Sequence, residues 1–70
     1  MPEVVVYVVE GRSLDQKRGL VKDITNAVAK NYQVPPDAVV VTIVETGKSE
    51  KAKGGVLFSD LSMPPGTKTS

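Results

Sequence analysis

Two short runs of this chain, Val4–Val9 and Val39–Glu45, are largely apolar on both of their alternating faces. In the first, Val4, Val6 and Val8 form one set and Val5, Tyr7 and Val9 the other. Side chains alternate with period two along a strand, so such runs need cover on both faces, the pattern of parallel sheets. Between them lies one helical pattern. Ser13-Leu14-Asp15-Gln16 matches a capping box, and Asp15 sits where a negative charge suits the helix dipole. Leu20, Val21, Ile24, Ala27 and Val28 follow at helical spacing as one apolar stripe. The spacing predicts a helix over residues 14–31, stopped by Pro35 and Pro36. Strand, helix, strand is an α/β fold: a β-α-β unit with parallel strands. Asp37 is expected to cap a short turn before the second strand. Residues 46–55 read as a loop, and Val56-Leu57-Phe58 as a short C-terminal strand.

One helix covers one face of a two-stranded sheet. The other face is left apolar and open, which marks an interface. Seventy residues make a single domain, 1–70, and a chain this short usually needs a staple. With no cysteine it has no disulfide, and with no histidine it has no zinc site of the Cys/His type. Association is the remaining staple, by extending the sheet and then packing sheet faces. Residues 66–70 are expected to form a mobile tail.

The same absences exclude Ser–His–Asp and Cys–His nucleophile systems. A formal net charge of +1 gives no field directed at nucleic acid or membrane. The lysines at 48, 51 and 53, with Glu50 among them, read as a solvated loop. The apolar N-terminal run lacks a preceding positive region and does not look like a signal peptide. No run approaches the roughly 20 apolar residues that span a bilayer. Absence of cysteine fits the cytoplasm.

The residues able to carry chemistry are Pro2, Arg12 and the lysine loop ending in Gly54-Gly55. A proline is tolerated at a strand start, where its missing N–H need not join the ladder. Alternatively, removal of Met1 leaves Pro2 as a free secondary amine beside an apolar sheet. Taken together, PEVVVYVVEGRSLDQK, the helix, VVVTIVE and the Lys53-Gly54-Gly55 turn resemble the 4-oxalocrotonate tautomerase family. The resemblance covers about residues 2–57. It implies a β-α-β monomer that pairs into a four-stranded sheet, with three such dimers making a hexamer. It also implies acid/base chemistry by an amino-terminal proline on a small 2-oxo or 2-hydroxy acid, with no cofactor.

On that reading Pro2 is the general base and Arg12 binds a substrate carboxylate through two parallel hydrogen bonds. A free α-amine titrates near 8, and an apolar site close to cations lowers that value. Two family positions differ. The arginine early in strand two is Val40 here, and the aromatic residue ahead of the double glycine is Lys51. Lys51 is the candidate for the missing cation. Two alternatives follow from the differences. One is a related activity such as dehalogenation, hydration or decarboxylation, with Glu50 as the nearest carboxylate for water activation. The other is a non-catalytic or partner subunit of a mixed hexamer.

Overall fold

The computed structural model describes residues 1–61. Strand β1, Glu3–Val9, and strand β2, Val40–Thr46, pair in parallel, from Glu3 against Val40 to Val9 against Thr46. Helix α1, Leu14–Tyr32, joins them. The β-α-β unit read from the sequence is therefore present. Strand β2 starts one residue later than expected for a local reason. The N–H of Val39 donates to the Pro36 carbonyl (3.1 Å) and closes a 3₁₀ turn over Pro36–Ala38. Asp37 lies inside that turn and does not cap it; Pro35 holds the cap position without a side-chain bond.

Helix α1 opens on the expected capping box. The Gln16 N–H donates to Ser13 Oγ (3.1 Å), and the Ser13 N–H donates to Gln16 Oε1 (2.9 Å). Two orphan donors of the first turn are thereby satisfied. Gly11, at φ 124°, turns the chain from β1 into this cap in a conformation that disfavours other residues. The C-terminal stop is a different device from the prolines. Gln33 takes the left-handed conformation (φ 57°), and its N–H donates to the Ala29 carbonyl. The Val34 N–H donates to the same carbonyl (3.2 Å). The last turn is thus closed before Pro35 is reached.

The alternation along β1 shows which sheet face the helix covers. Val4, Val6 and Val8 are half-buried, with Val41 and Ile43 of β2 on the same face. Across this face Lys17 of α1 reaches Glu45 of β2 (2.9 Å), an ion pair about one-third exposed. Pairs of that exposure contribute at most about 1 kcal/mol. The opposite face has no cover: Val5 is 45% exposed, Tyr7 71% and Val40 38%. Among the described residues no hydrophobic side chain is fully buried.

Beyond β2 a second 3₁₀ turn, Lys48–Glu50, leads into a hairpin of β3, Ala52–Lys53, and β4, Val56–Leu57. The segment expected to be loop up to residue 55 thus contains a turn and a strand. Gly54 and Gly55, at φ 61° and 81°, form its two-residue connection. Positive φ at both central residues matches the right-handed twist of a tight hairpin. Phe58, expected to end the third strand, instead opens a short helix α2, Phe58–Leu61. Its N–H donates to the Lys51 carbonyl (2.7 Å). The hairpin packs chiefly on α2 and the second 3₁₀ turn. The expected tail at 66–70 lies outside the described residues. No helix among the described residues is long and apolar enough to cross a membrane.

Candidate active site

Pro2 enters β1 just where β2 begins. Its carbonyl accepts the Val40 N–H (3.0 Å), so the proline is fixed at the sheet edge without donating to the ladder. It lines a cavity of about 370 Å³ with Glu3, Val4, Ala27, Val28, Asn31 and Tyr32. The walls are mainly alkyl groups and one phenol ring. Met1 lies outside the wall, 90% exposed.

Arg12 lies at the other end of β1, just past Gly11 and before the helix cap. It lines a second cavity, of about 300 Å³, with Val8, Gln16, Lys17, Leu20, Ile43 and Glu45. The Gln16 side chain is held by the capping box and Lys17 by Glu45, so the polar groups around Arg12 are already oriented. Arg12 itself has neither a hydrogen bond nor an ion pair to another described residue. Its five donors are available for an anion.

The structure therefore does not bring Pro2 and Arg12 together within one chain. The strand between them, at about 3.3 Å per residue, separates them by on the order of 20 Å. Lys51 joins neither residue. Its ammonium lies 5.6 Å from the centroid of the Phe58 ring, a cation–π contact across the base of the hairpin to the first residue of α2. Glu50 is also engaged elsewhere, accepting the Gly47 N–H (3.1 Å) on Oε1. Neither residue lines either cavity. At the strand-two position, Val40 sits against Pro2 and offers no charge. Among the described residues no cluster of carboxylates is arranged to hold a metal ion.

A family model described as tautomerase enzyme matches residues 2–61. The chain belongs to the tautomerase family. The chain is 48% identical over 58 residues to a probable tautomerase of Bradyrhizobium diazoefficiens, covering 83% of this chain and 87% of the relative. It is 41% identical over 61 residues to one of Listeria innocua, covering 87% and 100%. Among solved structures, it superposes on a 4-oxalocrotonate tautomerase isozyme from Methylibium petroleiphilum with TM-score 0.81 and 33% identity, over 86% and 94% of the two chains. The heterohexamer 4-oxalocrotonate tautomerase from Chloroflexus aurantiacus matches with TM-score 0.81 and 30% identity, over 87% and 98%. The resemblance read from EGRSLDQK and the double glycine thus holds.

Several residues of the two cavities were not singled out by the sequence. The sequence marks Gln16 as part of the helix cap and Lys17 only as part of the family pattern. Tyr32 and Asn31 were not read as part of a site. A signal for Tyr32 existed: Ile24, Val28 and Tyr32 are spaced four apart, so the apolar stripe runs one turn further than Val28.

Proposed function

We propose that this chain interconverts the enol and keto forms of a small 2-hydroxy/2-oxo acid, with the Pro2 nitrogen as general base after removal of Met1. The observation that carries the reading is the position of Pro2 in the wall of an apolar cavity large enough for a small acid. The free amine takes the proton of the enol O–H. The oxygen electron pair becomes the carbonyl π bond, and the former C=C pair accepts the proton back from the same nitrogen at carbon. No cofactor enters, and the net change is an isomerisation. An apolar surround disfavours the ammonium form and keeps the base neutral. A cytosolic setting belongs to the same reading, supported by the absence of cysteine.

Arg12 binds the substrate carboxylate, but of a site built with a second copy. In the sheet order β1-β2, one edge of β1 is unpaired. An antiparallel β1 from a second copy would carry its Arg12 end to the Pro2 end of the first. That places both residues on one substrate and extends the sheet to four strands. The open face with Val5 and Tyr7 then stacks against further pairs, which supports a hexamer of three dimers. Lys51 could reach a Pro2 cavity only on a neighbouring copy, because its own hairpin packs elsewhere.

Two outcomes test this assembly. Val5→Lys puts a charge at the centre of the open face, where a buried valine contributes about 1.5–3 kcal/mol. Sedimentation at micromolar concentration should show a smaller species that unfolds less cooperatively. A Val5→Lys protein with unaltered mass and stability would remove this face from the interface. Arg12→Ala removes a charge-assisted pair worth about 1.5–3 kcal/mol. In an ultraviolet assay of the pure processed chain with an enol such as phenylenolpyruvate, KM should rise roughly tenfold or more. Unchanged KM and kcat would return Arg12 to a surface role.

A second reading, a partner subunit of a mixed hexamer, is favoured by one observation: Val40 beside Pro2 supplies no cation. The pure chain would then be nearly inactive until a partner chain is added. The dehalogenase or hydratase alternative receives no support from Glu50, whose Oε1 caps Gly47.

A further inference from the structure

Arg12, Lys17 and Glu45 line one cavity of about 300 Å³, and Glu45 is the only carboxylate in its wall. That carboxylate is paired with the lysine and not with the arginine. Lys17 Nζ lies 2.9 Å from Glu45 Oε2, with both side chains about one-third exposed. The two partners stand on regular backbone. Lys17 donates its N–H to the Ser13 carbonyl (3.1 Å) in the first turn of α1, and Glu45 stands opposite Val8 in the parallel ladder. Helix stability does not account for the lysine, because a cation this close to a helix N-terminus meets the positive end of the dipole.

A carboxylate in this wall competes with a bound acid. Left without a counterion, Glu45 would offer the Arg12 guanidinium the same pair of acceptor oxygens as a substrate, and would repel the substrate's own charge. Paired with Lys17, its charge is offset and its oxygen is held by the ammonium. The cavity is then left with the single positive charge of Arg12. We propose that Lys17 is a positioning residue: by holding Glu45 it keeps Arg12 open to the substrate carboxylate. All three residues belong to one chain, so the ion pair accompanies Arg12 to whichever copy's Pro2 it serves. This role presupposes that Arg12 binds the carboxylate.

The probe is trans-cinnamate, an unreactive monocarboxylate, titrated by NMR into the processed, assembled protein. KM and kcat on phenylenolpyruvate are read in parallel. Lys17→Gln releases Glu45 and should weaken cinnamate and raise KM roughly three- to fivefold, the scale of a part-exposed ion pair, with kcat unchanged. Glu45→Gln frees Lys17 as a second cation and should tighten both by a similar factor. The double variant Lys17→Gln/Glu45→Gln should return to within about twofold of wild type, because the two changes cancel on one partner. Lys17→Arg keeps the counterion and should stay close to wild type. A merely structural ion pair would make both single changes weaken binding alike, and a lysine that touches the acid itself would leave the double variant as weak as Lys17→Gln. Either result, or unchanged binding in Lys17→Gln, would overturn the proposal. Arg12→Ala, titrated alongside, separates the two levels. Unchanged cinnamate binding there removes the carboxylate role of Arg12 and this proposal with it. Weakened binding there, with positions 17 and 45 moving in the same direction, removes only the role given to Lys17.

Discussion

Protein that retains Met1 should be almost inactive, although its cavity is intact. An amide nitrogen shares its lone pair with the carbonyl and has no basicity to offer. General base catalysis typically contributes about 10²- to 10⁴-fold, so kcat should fall by that order. Substrate affinity should change little. The structure carries Met1 in place, and the cavity of about 370 Å³ is still open with Met1 90% exposed outside its wall. The loss should therefore appear in kcat and not in binding of an unreactive acid. Two preparations, one processed and one extended at the N-terminus so that Pro2 stays acylated, are distinguished by intact mass and compared on phenylenolpyruvate. Pro2→Ala, once processed, keeps a primary amine and should keep residual turnover. Full activity in the acylated preparation would refute the amine mechanism whatever the fate of Arg12.

How far the sequence anticipates this structure depends on whether the deciding interaction is local. The capping box needs four residues and is written in Ser13 to Gln16. The parallel pairing follows from two strands apolar on both faces and a connecting helix too long for a hairpin. The open face follows from there being only one helix to cover two. The helix stop differs from the one the prolines predict because the left-handed position is held by Gln33, not by the usual glycine, and side-chain identity gives little sign of it. The segment 46–55 reads as loop because its glycines and lysines say turn, whereas the short β3–β4 ladder depends on pairing between residues on either side of Gly54-Gly55.

The site was legible residue by residue but not as a geometry. Pro2 and Arg12 are candidates from their places beside the strand and cap taken together with the family resemblance. Their separation was equally available, since a strand of seven residues lies between them, yet it acquires meaning only when the two cavities are seen at opposite ends. Lys51 was a reasonable candidate from its place in the loop. Its contact with Phe58 arises from the hairpin and α2, neither of which the sequence specified clearly. The predicted stripe ends at Val28, one turn short of Tyr32, which lines the Pro2 cavity.

If Pro2 of one copy works with Arg12 of another, two separately crippled chains should repair each other. In an assembly of acylated chains every site has Arg12 but no base. In an assembly of Arg12→Ala chains every site has the base but no carboxylate donor. When the two are unfolded together and reassembled, an Arg12→Ala chain paired with an acylated chain contributes an intact Pro2 to a site whose Arg12 comes from its neighbour. Random pairing yields such sites as about one in four, so the mixture should recover roughly a quarter of the wild-type kcat/KM, above the roughly one-tenth or less that Arg12→Ala keeps and far above the acylated parent, which lacks a base worth about 10²- to 10⁴-fold. The measurement is kcat/KM of the co-assembled mixture at subsaturating phenylenolpyruvate, compared with the two parents reassembled separately and then combined. Recovery only after co-assembly is the predicted result. A co-assembled mixture no more active than the sum of its parents, in assemblies shown by mass to contain both chains, would contradict a site shared between copies.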